Sequence, residues 1–407
     1  SVGTEITMDE FIAQMTIDEL MYIVGGQKQV GMCNTGSFGG VERLDIPYVP
    51  TADGPAGLRL MESIGIPATA WPCATLLACS WDTDLIYEVG AAGGAEIREN
   101  NLGVWLAPAL NIHRDPLCGR NFEYYSEDPL VSGKCGAAAI RGVQSQKTAV
   151  SMKHFACNNK EANRYQNDSR ISERALREIY MKGFEIAVKE GKPWTVMSSY
   201  NLINGQHTSE IYELLTGILR DEWGFKGVVV TDWGAENEIV DGIKAGKNLE
   251  MPSSGGLGPQ KIINAVNSGE LDINILDENV DLLLELIFKG AENLHSDYNC
   301  DMKENHKLAR KIASESMVLL KNTDDILPLD KSKKIAFIGE MAKYPRYQGA
   351  GSSLINPTEL DSAYQEFLKN GYRVAYSRGY DKSTDVPDEK LIESAVELAK
   401  KADVVVI

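Results

Sequence analysis

A handful of side chains in this 407-residue sequence could together grip and attack a polyol: Asp53, Arg59, Arg120, Lys153, His154, Arg164, Tyr200, Asp232 and Trp233. They gather where apolar runs give way to polar or Gly-rich loops. Cationic side chains bind hydroxyls through charge-assisted hydrogen bonds, and an indole face packs on the C–H surface of a pyranose. Asp53 could accept from two vicinal hydroxyls. Lys153 and Arg120 could hold others and keep Asp232 ionised through their positive charge. The pattern therefore points to sugar chemistry centred on one carboxylate, Asp232.

Each residue also has a plainer reading. Asp232 could cap the helix that follows it. Asp53 precedes Gly54-Pro55 and could be a turn residue. Arg114 and Arg120 could pair with Asp115, Glu123 or Glu127, and for Arg114 that reading is adopted. His154 could be a satisfied core histidine, and Tyr200 and Trp233 core or rim aromatics. Their common place at strand ends is what favours chemistry.

The elements that must position these residues follow from periodicity. Val228-Val229-Val230 is a β-branched run of the kind buried on both faces of a parallel sheet, and it ends in Thr231-Asp232-Trp233-Gly234. The spacing predicts a helix over 8–25, then strands near 46–50, 104–108, 149–155, 194–200 and 228–230, with a weaker one over 248–252. Helices are expected over 81–100, 131–146, 172–190, 210–223, 235–245, 259–268 and 279–291. Tandem βα units with polar residues at the strand ends indicate a TIM-type (β/α)8-like barrel; a doubly wound open sheet is the alternative. No GxGxxG follows a strand and no GxxxxGK[ST] occurs, so nucleotide binding has no support.

A polar stretch at 295–305 marks a boundary. Residues 1–300 are read as the barrel domain and 301–407 as the opening of a second α/β domain, truncated because the sequence stops within the run Val404-Val405-Val406-Ile407. A net charge of −17 argues against nucleic acid and anionic membranes as partners. No apolar run reaches membrane-spanning length. The first residues show neither a basic n-region nor an apolar h-region, so no signal peptide is read there and a cytoplasmic protein is expected. The seven cysteines lack a CxxC pair and are read as thiols, and the five histidines show no metal-ligand spacing.

The sequence resembles glycoside hydrolase family 3, on its β-glucosidase side. The resemblance rests on Asp53-Gly-Pro-Ala-Gly-Leu-Arg59, Arg114-Asp-Pro-Leu-Cys-Gly-Arg120-Asn-Phe-Glu123, Lys153-His154-Phe155, Met197-Ser-Ser-Tyr200-Asn201 and Val230-Thr231-Asp232-Trp233, in that order. Val318-Leu-Leu-Lys-Asn322, Leu327-Pro-Leu329 and Gly349-Ala-Gly-Ser-Ser353 resemble the start of the family's αβα sandwich. The resemblance implies that Asp232 is the nucleophile. It implies that Asp53, Arg120, Lys153, His154 and Tyr200 hold the terminal sugar against Trp233. Arg59, Arg164 and Met197 match pocket neighbours, and Ser352 matches a second-domain loop over the sugar. Lys153-His-Phe-Ala-Cys-Asn-Asn159 departs from the KHFPGHG of the N-acetylglucosaminidase branch, which argues against a histidine acid/base.

The expected fold is thus a TIM-type barrel followed by a truncated αβα sandwich domain. The expected activity is that of a retaining exo-acting β-glucosidase on β-glucosides or short β-linked oligosaccharides. Neither cofactor nor metal is expected. A homo-oligomer is compatible with this reading, and the remainder of the second domain is an expected partner carrying the acid/base glutamate. The alternatives are a β-xylosidase or other exo-β-glycosidase, and a non-catalytic sugar-binding fragment.

Overall fold

The computed structural model describes residues 6–61, 65–294, 297–347 and 351–407. Gly349 and Ala350 of the Gly-Ala-Gly-Ser-Ser motif and His295 at the expected boundary lie outside the described residues. The chain divides into two compact units, residues up to Met317 with 351–356, and residues 318–347 with 357–407.

In the first unit, six strands lie in the order Gly36–Gly39, Tyr48–Ala52, Val104–Trp105, Ala149–Phe155, Thr195–Ser198 and Val228–Val230. The first pair is antiparallel and the others are parallel. Single bridges carry the pairing onward, from Val230 to Leu249, from Glu250 to Gly25, and from Gln27 back to Ser37. The sheet therefore curls round so that its last strand leads back towards its first.

Strand residues alternate between two apolar clusters, as a pleat with both faces buried requires. Val229, Val150 and Val196 join one cluster with Ile86, Ile140, Phe184 and Leu215 from the flanking helices. Val228, Val230, Val104 and Ala149 face the other. The space enclosed by Phe38, Val104, Leu106, Val228, Val230 and Leu249 is only about 10 Å³, so the inside of the curl is packed core. Burying a valine there contributes about 1.5–3 kcal/mol.

The α/β class expected from periodicity is the class observed, with local corrections. The single helix expected over 8–25 is two, Met8–Ile12 and Ile17–Ile23. Each starts at a reciprocal capping box, Thr7 with Glu10 and Thr16 with Glu19, which satisfies the first free N–H groups and fixes the breakpoint. The sheet does not open on a βα unit, because Gly36–Gly39 runs antiparallel into Tyr48–Ala52. The strand expected over 248–252 is reduced to isolated bridges. The helix Met302–Glu315, capped by Asp301, lies past the expected boundary at 300 yet buries Ala309 and Ile312 in the first unit.

The second unit has a parallel three-stranded sheet ordered Arg373–Ser377, Lys334–Ile338, Val404–Val406. The helices Ala363–Lys369 and Glu389–Ala399 connect its strands.

Candidate active site

The turn after the Tyr48–Ala52 strand delivers the first carboxylate. Gly54 and Gly57 have φ of +120° and +134°, and a Cβ at either would lie 1.8 Å from Gly57 O or 2.3 Å from Thr69 O. Only glycine permits this close, left-handed path. The turn is closed by Arg59 N–H donating to the Asp53 carbonyl at 2.8 Å. Asp53 Oδ1 then accepts from Gly54 N–H and from Lys153 Nζ, both at 2.9 Å.

Lys153 and His154 are consecutive on the Ala149–Phe155 strand, so regular alternation would send them to opposite faces. The pairing with the next strand shifts register between Met152 and Phe155. Both side chains consequently reach the site: Lys153 meets Asp53, and His154 Nε2 lies 3.7 Å from Asp232 Oδ2.

Asp232 stands at the end of Val228–Val230. The helix-cap reading is not realised, since the next helix starts at Ile239 behind Glu238. Asp232 Oδ1 accepts the Trp233 N–H at 2.8 Å, whereas Oδ2 is buried with no hydrogen-bond partner among the described residues. Burial pushes the Asp232 pKa above the ordinary carboxylate value, against the opposing charges of Arg120 and Lys153 and the Trp233 N–H. Asp53 goes the other way. Burial would raise it too, but the Lys153 charge and hydrogen bond, the Gly54 N–H and Arg120 hold it below its ordinary value.

Arg120 forms a very short ion pair with Glu123 and donates through Nη2 to His154 Nε2 at 2.7 Å. The pairing of Arg120 with Glu123, the plainer reading of that residue, is therefore present alongside its approach to the site. Tyr200 donates to the Trp233 carbonyl at 2.9 Å, and its single proton serves either that oxygen or nearby Asp232. Burial and the Asp232 charge raise the Tyr200 pKa. Trp233 Nε1 donates to the Thr35 carbonyl at 3.1 Å, fixing the indole. Arg164 lies 4.4 Å from the Tyr200 ring centre and pairs with Glu161 at 3.2 Å.

Asp53, Lys153, His154, Arg120, Asp232, Trp233, Tyr200 and Arg164 thus form one connected cluster. Three other residues make no side-chain hydrogen bond or ion pair to it among the described residues. The Arg59 guanidinium is engaged by Asn34, whose amide suits Nε at 3.1 Å and the Arg59 carbonyl at 2.8 Å. Met197 is buried in the apolar cluster with Val230 and Met251. Ser352 is half-buried in the short turn Gly351–Ser353. That segment packs in the first unit, where Ile355 abuts Gly57.

Sequence reasoning did not single out Asn111 or Tyr124. Asn111 Oδ1 accepts the His154 N–H, and its Nδ2 donates to the His154 carbonyl, both at 2.9 Å. Tyr124 OH lies 3.3 Å from His154 Nδ1. The available signal was a polar residue directly after the apolar run 104–110.

Among the described residues, no group of three or more His, Cys, Asp or Glu side chains is placed to hold a metal ion. No helix among them is long and apolar enough to cross a membrane.

Compared with known proteins, the chain matches the profile described as Glycosyl hydrolase family 3 N terminal domain over residues 11–286. It matches Glycosyl hydrolase family 3 C-terminal domain over 317–407. It is 46% identical to thermostable beta-glucosidase B of Acetivibrio thermocellus, over 99% of this chain and 54% of that protein. It is 43% identical to an exo-alpha-(1->6)-L-arabinopyranosidase of Bifidobacterium breve, over 90% of this chain and 51% of that protein. The crystal structure of a Bifidobacterium adolescentis GH3 beta-glucosidase superposes with a TM-score of 0.90 at 41% identity, covering 97% of this chain and 57% of that one. The chain spans about half the length of the relatives it matches.

Proposed function

The chain belongs to glycosyl hydrolase family 3, and from that premise we propose that it carries the nucleophile half of a retaining exo-β-glucosidase. The substrates are terminal, non-reducing β-D-glucosyl residues of β-glucosides and short β-linked oligosaccharides. We read the first unit as a TIM-type barrel domain, with the bridges at Leu249 and Gly25 completing its circuit, and the second as the opening of an αβα sandwich. The free thiols suit a reducing compartment, and we place the protein in the cytoplasm.

The observation that carries this reading is the asymmetry of Asp232. One of its oxygens is held by Trp233 N–H, while the other is buried, unbonded among the described residues and flanked by cations. Such an oxygen is oriented and desolvated for attack on an anomeric carbon. In the first step, Oδ2 forms a C–O bond as the glycosidic C–O bond breaks and the leaving oxygen takes a proton. In the second, water attacks the glycosyl-enzyme, gives up a proton and releases Asp232.

Asp53, Lys153, Arg120 and Tyr200 supply the charged and hydroxyl groups that hold the sugar hydroxyls, with Trp233 as the wall and Arg164 behind Tyr200. We assign the acid/base role to none of the site's other carboxylates, since Asp53 is paired with Lys153, Glu123 with Arg120 and Glu161 with Arg164. That role falls to a carboxyl outside these 407 residues, at roughly 5–5.5 Å from Asp232 in the retaining geometry.

The arabinopyranosidase relative favours a second reading, an exo-glycosidase for another pyranoside. Rates on aryl β-glucoside, β-xyloside and α-L-arabinopyranoside decide between the two. Preference for the glucoside, lost in Asp232→Asn, supports the first. Preference for either pentoside overturns it, and sugar binding without turnover of any substrate would leave a non-catalytic module.

A further inference from the structure

We propose that Asn111 is a positioning residue that fixes the tautomer of His154, so that Nε2 offers a lone pair to Arg120 and the imidazole aims no proton at Asp232 Oδ2. The inference rests on the reading of Asp232 as nucleophile.

Two independent constraints lead to the same tautomer. A guanidinium has donors and no acceptor, so at 2.7 Å from Arg120 Nη2 the His154 Nε2 must be unprotonated. A ring unprotonated at Nε2 carries its hydrogen on Nδ1. From the other side, Asn111 cannot turn its amide over. Its Oδ1 takes the His154 backbone N–H and its Nδ2 serves the His154 carbonyl, each at 2.9 Å, and a flip would lose both bonds. The atom it presents to Nδ1, at 3.3 Å, is therefore an acceptor that calls for Nδ1–H. Tyr124 OH, also 3.3 Å from Nδ1, can donate to the Asn158 carbonyl and need not compete for that position.

The charged and titratable groups around the ring are Arg120 and Tyr124 from one segment, Lys153 from its own strand, Arg164, and Asp232. Burial and the three cations oppose a second proton, so the ring is neutral. With Nε2–H instead, the histidine would aim a proton at Asp232 Oδ2, 3.7 Å away and beyond hydrogen-bond length, and its positive end would draw on the electron pair needed for attack. It would also release Arg120. In this arrangement Nε2 is an acceptor, engaged with Arg120.

The experiment is Asn111→Asp in the whole enzyme. A carboxylate beside Nδ1 favours the imidazolium, which places a proton on Nε2 below the new pKa. The acidic limb of kcat/KM for an aryl β-glucoside should move up by about one pH unit or more, so that roughly tenfold more activity is lost on the acid side than at high pH. The shift should vanish in Asn111→Asp/His154→Gln, which keeps the new carboxylate but has no imidazole to take up a proton at Nε2. A uniform loss at all pH values would mean a merely structural asparagine and overturns the proposal. If Asn111→Asp does not fold, the ring nitrogens of the parent, labelled with 15N and assigned with His154→Gln, give the tautomer directly. A protonated Nδ1 supports the proposal and a protonated Nε2 overturns it. Labelling of the parent by a 2-deoxy-2-fluoro-β-glucoside separates the two readings. No adduct on Asp232 removes the nucleophile assignment itself, whereas an adduct together with a protonated Nε2 removes only the role of Asn111.

Discussion

Val228–Val230 and Val404–Val406 are the same tripeptide in two settings. The first pairs with Thr195–Met197 on one side and Leu249 on the other, and Val229 is wholly buried. Among the described residues the second pairs with Ile335–Phe337 alone, as an outer strand of the three in its sheet, and Val405 is 41% exposed in this 407-residue chain. A β-branched run therefore specifies a strand, while its burial is set by what lies on either side of it. The difference carries through to chemistry. Neighbours on both sides of Val228–Val230 bring Tyr200 and the Leu249–Met251 segment next to Asp232, and they remove the water that would otherwise solvate its carboxylate.

Substitutions at matched places in the two settings can break or sharpen this contrast. The largest effect is expected at the strand end: Asp232→Asn should lower turnover of every substrate by on the order of 10⁴-fold or more in a folded protein. Retained rates on activated aryl glucosides would show that another group attacks.

Next comes the ion pair behind it. Lys153→Met leaves Asp53 buried without its partner and should cost about 3–5 kcal/mol of stability, read by urea denaturation. A loss below about 1 kcal/mol would mean that water reaches Asp53.

The valines themselves give the direct comparison. Measured in the 407-residue chain, Val229→Ala should cost about 2 kcal/mol, whereas Val405→Ala should stay within about 0.5 kcal/mol. Equal costs would erase the distinction between the two strands.

The smallest effect is one of sign. The Asp232 pKa is raised by folding, so its contribution favours the native state fully below the unfolded value of about 3.9 and is lost as pH rises through the higher native value. Asp232→Asn should therefore raise Tm at pH 7 and raise it less near pH 4. Asp53 is depressed by folding, so its contribution is full above the unfolded value of about 3.9 and is lost as pH falls through the lower native value. Asp53→Asn should lower Tm at pH 7, with the deficit shrinking in acid.

Much of the fold was legible because apolar period and strand ends coincide. The Ala149–Phe155 strand has the bounds its sequence predicts, and Val228–Val230 is buried on both faces as the run implies. Other features depended on signals of a different kind. Thr7-x-x-Glu10 and Thr16-x-x-Glu19 are capping boxes that split what periodicity reads as one helix. Gly36-Ser-Phe-Gly39 carries almost none of the β-branched character that marks a strand, so its antiparallel pairing is set by neighbours distant in sequence. In the site, residue types were legible and pairings were not. A register shift that turns Lys153 and His154 into one pocket leaves no mark on composition, and neither does the enclosure of His154 by Asn111.

The central claim is that Asp232 is the nucleophile, and a trapped intermediate tests it most directly. The whole enzyme is incubated with a 2-deoxy-2-fluoro-β-glucoside bearing an activated leaving group, digested, and mapped by mass spectrometry. The account predicts one fluoroglucosyl adduct, on the peptide carrying Thr231-Asp232-Trp233, and none in Asp232→Asn. An adduct on Asp53, Glu123 or any other carboxylate, or turnover of the reagent without an adduct at Asp232, would contradict it.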